Sequence, residues 1–319
     1  MLPMEKKLTI LDIARLCGVG KSTVSRVLNR DPRVKEETRV RVEQVIARHG
    51  FTPSKSARAM RSQSQRVVGI IVSRLDSGSE NQAVRGMLET LYGEGYDAVL
   101  MESKFSPAKV EEHLAVLERR GVDGIILFAF NDLDYGAMSP YRDKLVLVAR
   151  EAPGFSSVCF DDEGAIRTMM GGLLADGVRE IAYLGVDEAD LTTGARRRDA
   201  YLSCCAEHGL TPRLALGDLS HQSGYRLAAE LLTPATRALV CASDTLAIGA
   251  AKYLQEQGRS EVRVTGLGNN PLLGFLFPNA QSLDLGYKGA GVQAACQLLG
   301  QIESGHPPHA TIAPSLTWR

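Results

Sequence analysis

Lys21, Ser22, Ser25 and Arg26 recur along one side of the segment KSTVSRVLN. Ammonium, hydroxyl and guanidinium groups placed this way donate hydrogen bonds to phosphate oxygens and to base edges. Two short elements must position them. Ile10, Ile13, Ala14 and Cys17 repeat at i, i+3, i+4, i+7 and predict a helix, with Thr9 as its N-cap and Asp12 completing a capping box. Gly18-Val19-Gly20 breaks that stripe, and a second helix follows with Val24, Val27 and Leu28 inward. Two short helices joined by a glycine turn, the second polar at its start, form the helix-turn-helix layout. Gly20-Lys21-Ser22 imitates the end of a phosphate-binding loop, but position 15 is Arg where that loop needs Gly, and the run follows a helix instead of a strand.

A second set of charged residues follows apolar runs. Arg74 lies just beyond VVGIIVS, Arg150 directly after LVLVA, and Asp244 just after ALVCAS. Arg197 lies near the start of the first full helix after IAYL. In open parallel sheets the ligand crevice lies outside the carboxyl ends of the strands. Three arginines around one crevice suit a phosphate, because a guanidinium is always charged and donates in pairs. Glu80, Asn81 and Asp244 would then accept sugar hydroxyls. The competing reading is that each arginine makes a structural ion pair. Arg196, Arg197 and Arg198 cannot all face one ligand.

The formal net charge of zero conceals an asymmetry: residues 1–66 hold fifteen basic groups against six acids, a net of +9, and the remainder carries −9. A basic head on an acidic body fits a polyanion-binding module joined to something of another kind. The six cysteines show no CxxC pair and read as reduced core residues of a cytoplasmic protein. No apolar run reaches the roughly 18 residues of a membrane span, and the first residues do not form a signal peptide.

Val42, Val45, Ile46 and His49 predict a third helix ending at Gly50. Residues 51–66, FTPSKSARAMRSQSQR, read equally well as a flexible basic linker or as a segment that folds only on DNA and a second copy of itself. In the second reading Met60 is a minor-groove wedge and Arg58 and Arg61 hold phosphates. From Val67 strands alternate with helices: strands at 67–72, 97–101, 124–128 and 145–149, then a second set at 181–184, 214–216, 238–242 and 262–267. Helices are expected at 82–94, 107–120, 163–176, 193–208, 222–232 and 244–257. The fold class is α/β, a doubly wound pattern repeated twice behind a three-helix headpiece, and two such lobes imply a cleft for a small ligand.

TILDIARLCGVGKSTVSRVLN and SARAMR, with SVCFDDEGA, TTGARRRDAY, QSGY and ASDTLAIGA in the body, resemble the lactose/galactose-repressor family of bacterial transcription regulators over essentially the whole chain. The resemblance implies a homodimer on a palindromic operator, with lobes of the periplasmic-binding-protein-like, type I kind. An effector between the lobes would disorder the hinge helices and release the DNA. It carries operator contact to Thr9, Lys21, Ser22, Thr23, Ser25, Arg26 and Asn29, and to Ser54, Ala57, Arg58, Met60 and Arg61 in the hinge. Met60 stands where the family usually has leucine. Of the expected effector contacts Arg74, Glu80, Asn81, Arg150, Arg197 and Asp244, Arg197 also falls on the family's effector arginine. Within the family, VSRLDSGSENQAV, MESKFSP and FDDEGAI are most similar to the trehalose-responsive branch, which implies trehalose 6-phosphate as inducer and trehalose as a weaker competitor. The family's VxGxDD appears here as TGLGNNPL, with Gly268 and Asn269 in place of two acids, a change that favours an anionic ligand.

The resemblance also sets the expected divisions: 1–50 headpiece, 51–66 hinge, 67–161 with 288–303 the N-terminal lobe, 162–287 with 304–319 the C-terminal lobe. An enzyme is the first rival, but there is no nucleophile elbow, no metal-spaced His or Cys and no GxGxxG after the first strand; no cofactor and no metal are called for. A sugar-binding transport protein is the second, and it would need an export signal and lack the basic headpiece. SGHPPHATIAPSLTWR has no leucine heptads, which favours a dimer over a tetramer.

Overall fold

The structure is a computed structural model describing residues 10–28, 33–48, 65–187, 190–304 and 317–318. It divides into two units, residues 1–65 and 66–319. Thr9, Asn29 and the hinge positions Ser54, Ala57, Arg58, Met60 and Arg61 lie outside the described residues, as does the Thr9 half of the capping box.

In the first unit α1 (Ile10–Cys17), α2 (Lys21–Leu28) and α3 (Glu36–Arg48) enclose one small core of Ile13, Ala14, Cys17, Val24, Val27 and Val42, with Val45 and Ile46 packed at its edge. The turn between α1 and α2 closes through Gly18 N–H to Arg15 O and Val19 N–H to Ala14 O. Gly18 takes φ +62, which needs a residue without a Cβ to be unstrained.

The second unit holds two sheets. β1 (Val67–Val72), β2 (Asp97–Glu102), β3 (Gly124–Phe128), β4 (Leu145–Val148) and β5 (Ser156–Val158) pair in parallel in the order β2-β1-β3-β4-β5. β6 (Ile181–Val186), β7 (Leu214–Gly217), β8 (Ala238–Cys241), β9 (Arg263–Leu267) and β10 (Ala280–Asp284) repeat that order as β7-β6-β8-β9-β10. A two-residue strand β11 (Thr317–Trp318) adds antiparallel to β10. Strands such as GIILF and LVLV are buried at every residue, as strands covered on both faces must be.

The helices of the first lobe are α4 (Gly78–Gly93) and α5 (Pro107–Arg119); those of the second are α6 (Asp162–Ala175), α7 (Arg197–His208), α8 (His221–Leu231), α9 (Asp244–Glu256) and α10 (Pro271–Leu276). The last helix, α11 (Tyr287–Ser304), follows the second sheet yet packs on α4 and on β3, β4 and β5 of the first. Its approach to α4 is close enough to require glycine on both sides. A Cβ at Gly86 would sit 2.2 Å from Lys288 O, and one at Gly291 would sit 1.9 Å from Ala83 O.

Three details differ from the periodicity reading. α4 begins at Gly78, four residues before the expected 82, because Ser77 caps it by accepting from Glu80 N–H. The expected start of α7 at 193 is instead a π-helical turn, Leu191–Arg196, opened by Asp190, whose carboxylate accepts from Thr192 and Thr193 N–H. β5 and β10 carry no strong apolar run to announce them, and the apolar PLLGFL of α10 is too short to show a helical period. Among the described residues all six cysteines are free, and only Cys296 is exposed.

Candidate functional site

The carboxyl ends of both sheets open onto one cleft in the second unit. Arg74 follows β1, Asn131 and Phe130 follow β3, and Arg150 follows β4. From the second lobe come Asp190 and Arg197 after β6, Leu219 after β7, Asp244 after β8 and Asn270 after β9. Phe105 meets Phe130 edge-on at 5.6 Å, and Phe160 packs on Tyr287 at 4.7 Å, giving the cleft apolar walls between its polar groups. The cleft is concave and opens to solvent, and its mixture of apolar walls and polar groups at strand ends suits a small ligand.

Arg74 donates through Nε and Nη2 to the two oxygens of Asp76 at 2.8 and 2.9 Å, and through Nη1 to Leu219 O of the opposite lobe at 2.9 Å. The hydrogen bonding to Asp76 raises its pKa further, so it stays charged. Arg150, half-buried, donates to Asn131 Oδ1. Ala149 just before it has φ +75, an uncommon angle for a residue with a Cβ, and this bend delivers the arginine to the cleft.

Arg197 is almost wholly buried. Its Nε and Nη2 both reach Asp162 Oδ1, at 2.8 and 2.6 Å, while Nη1 donates to Ala242 O at 2.5 Å and Nη2 to Tyr287 Oη at 3.3 Å. The structural-pair reading of the arginines therefore describes Arg197, whose partner is buried, and also Arg74, whose partner Asp76 is exposed. Asp162 Oδ2 is buried and, among the described residues, accepts no hydrogen bond.

Two more carboxylates face the cleft. Glu80 Oε2 accepts from Ser73 N–H at 2.8 Å and Arg74 N–H at 3.4 Å, so it straps the strand end that carries Arg74. Burial pushes its pKa up to about 7, against the pull of those two amides. Asp244 is pushed up to about 6 by burial, opposed by Asn270 N–H at 2.6 Å and the Ser282 hydroxyl at 2.8 Å. Asn81 is not brought to the cleft. It is exposed, and its amide donates to Leu75 O at 3.1 Å.

At the VxGxDD position Gly268 lines the cleft, Asn269 turns away to donate to Asp284 at 2.9 Å, and Asn270 lines it instead. Asn131, Asp162 and Tyr287 are cleft residues that sequence reasoning did not single out. The strand-end rule applied to β3 would have found Asn131.

On the headpiece, α2 leaves Lys21, Ser22 and Arg26 exposed and Thr23 half-buried, while Val24 and Val27 fill the core. Lys21, Ser22 and Arg26 are therefore exposed to meet a polyanion, while the Ser25 side chain lies outside what is described. Among the described residues no helix is long and apolar enough to cross a membrane, and no group of His, Cys, Asp and Glu could hold a metal.

Comparison with known proteins agrees with this architecture. The profile of bacterial regulatory proteins, lacI family, matches residues 9–54, and that of the periplasmic binding protein-like domain matches residues 171–319. The chain is 53% identical to the HTH-type transcriptional regulator TreR of Escherichia coli strain K12 over 98% of this chain and 99% of that protein. It is 54% identical to TreR of Salmonella typhimurium over the same shares. A solved structure of the trehalose repressor from Escherichia coli superposes with a TM-score of 0.77 at 49% identity, covering 80% of this chain and all of that one. The Lac repressor dimer bound to operator and the anti-inducer ONPF shares the fold, with a TM-score of 0.86 at 20% identity over 98% of each chain. The chain belongs to the lacI family of bacterial regulatory proteins and is a DNA-binding transcriptional regulator.

Proposed function

We propose that the protein is a cytoplasmic, homodimeric repressor of a trehalose operon, released from a palindromic operator by trehalose 6-phosphate bound between the two lobes, with trehalose a weaker competitor. The observation that carries the phosphate is the placement of Arg74 and Arg150 at the carboxyl ends of β1 and β4, on one cleft, both half-buried. Partly desolvated guanidiniums bind phosphate oxygens more strongly than neutral donors do. Deeper in the cleft, Asp162 Oδ2 and Asp244 supply acceptors for sugar hydroxyls, and Phe105, Phe130 and Phe160 offer apolar faces to the sugar rings. The names of the relatives support the sugar.

Of the six residues expected to hold the effector, five stand on the cleft; we assign Glu80 the task of fixing the Arg74 backbone and leave Asn81 out. In the headpiece, Lys21, Ser22, Thr23, Ser25 and Arg26 read the operator. Residues 51–66 link it to the body, where 67–161 with 288–303 and 162–287 with 304–319 form the two lobes.

Calorimetric titration of wild type and Arg74→Ala with trehalose 6-phosphate and trehalose tests this. The variant is expected to lose roughly 10- to 100-fold in affinity for the phosphorylated sugar, the size of a charged hydrogen-bond pair, and little for trehalose. Equal affinities of the two proteins for trehalose 6-phosphate would refute the phosphate site. A gel shift on the operator region, with and without the sugar phosphate, tests the sign of the response.

A further inference from the structure

We propose that Gln82 is a positioning residue that sets effector affinity by tying the two lobes together, without touching the ligand. This rests on the reading that the cleft takes a small effector gripped by both lobes. Gln82 Nε2, on α4 of the first lobe, donates to Gly268 O of the second at 2.7 Å. Gln82 is not a cleft-wall residue, whereas Gly268 is.

Both ends of this bond are rigidly mounted. The donor sits on α4, one residue before Ala83, whose carbonyl lies against Gly291 of α11. The acceptor belongs to a loop fixed from its own lobe: Gly268 N–H donates to Leu283 O at 3.0 Å, Asn269 N–H to Ser282 Oγ at 2.7 Å, and Asn270 N–H to Asp244 Oδ2 at 2.6 Å. Gly268 has φ +145, and a Cβ there would lie 3.0 Å from Asp244 Oδ2. Only glycine meets both demands. The replacement of an acid by Gly268 therefore has a structural consequence beyond neutral charge: it lets a backbone carbonyl face the first lobe as a fixed acceptor.

A bond between two rigid bodies is made at one relative lobe angle and lost at others, because hydrogen bonds weaken steeply off their geometry. A ligand that needs that angle binds with less closure cost when Gln82 already favours it. Arg74 also spans the lobes, through Leu219 O, but it faces the ligand as well. Gln82 isolates the closure contribution.

The test uses full-length Gln82→Ala and Gln82→Glu, titrated with trehalose 6-phosphate and with trehalose. Each Kd is expected to rise about three- to tenfold, the range of one net hydrogen bond, by the same factor for both sugars and with the melting temperature of wild type. Unchanged affinities, or a loss confined to one sugar, overturn the proposal. If wild type binds neither sugar, the effector reading fails separately. The Gln82 inference is then decided by hydrogen exchange of the effector-free full-length chain. Segments 78–84 and 268–273 should exchange faster in Gln82→Glu than in wild type, and equal exchange overturns it.

Discussion

Arg197 and Asp162 form an ion pair of 2.6 Å on the floor of the cleft, with side chains only 3% and 1% exposed. Burial works against the arginine's charge, but Asp162 and Tyr287 outweigh it and hold its pKa above the usual value. The charge of Arg197 is thus balanced within the protein. Arg74 is also paired, but its partner Asp76 is 74% exposed and can turn to solvent. A phosphate would therefore draw its net attraction from Arg150 and from Arg74 released from Asp76, and Arg197 would serve by orienting Asp162 Oδ2 toward a hydroxyl.

Removing one partner of this pair leaves the other buried and uncompensated. Arg197→Met is expected to cost roughly 3–5 kcal/mol of unfolding free energy, read from urea denaturation followed by circular dichroism. Adding Asp162→Leu should recover most of that loss, because the desolvated charge is then gone. A single variant as stable as wild type would mean that the pair is better solvated than its geometry indicates.

Glu80 and Asp244 make a prediction about pH. Their folded pKa values, about 7 and about 6, stand above the usual values of 4.5 and 3.8. The folded protein therefore holds more protons than the unfolded chain between each pair of values, and stability falls as pH rises through that window. Below the unfolded pKa the penalty is absent; above the folded pKa it is complete. Glu80→Gln should flatten the decline in urea midpoint between pH 5 and pH 7 relative to wild type. A variant with the wild-type slope would assign the decline to other groups.

The alternation of strands and helices was legible because buried parallel strands are continuous apolar runs, as in VVGIIV and ALVC. β5, only Ser-Ser-Val, is buried by its place beside β4 and carries no such run. Arg74 and Arg150 could be placed by the strand-end rule, since that rule depends on topology alone. The task of Glu80 could not: whether a carboxylate meets a sugar hydroxyl or the Ser73 amide depends on the cap at Ser77, which pulls α4 four residues earlier than periodicity suggests. Asn81 and Gln82 show the same limit. One residue of helix rotation sends the first to its own loop and the second across to the other lobe.

The proposed dimer has a candidate surface. On α10, Phe275 is 81% exposed, with Leu272 and Leu276 about half exposed beside it. Three large apolar side chains on one six-residue helix form a patch that a second copy would cover. Phe275→Glu is expected to shift sedimentation from dimer toward monomer at micromolar concentration. Operator affinity should drop with it, since two half-sites are then no longer gripped together, while effector affinity stays near wild type. An unchanged dimer would move the interface elsewhere.

The headpiece prediction separates reading from sticking. Arg26 is exposed on the polar face of α2, and Lys21 and Ser22 begin that helix. If Arg26 contacts a base edge, Arg26→Ala should cost about 1–3 kcal/mol on the operator and little on unrelated DNA. The dependence of log affinity on log salt would then keep its slope. If Arg26 instead neutralises a phosphate, affinity falls on both DNAs, and the slope shrinks by about 0.9, one released counterion. Filter binding at several salt concentrations, on operator and on scrambled duplex, distinguishes the two. We expect the first outcome, because Val24 and Val27 of the same helix are locked in the headpiece core and hold the Arg26 face in one orientation.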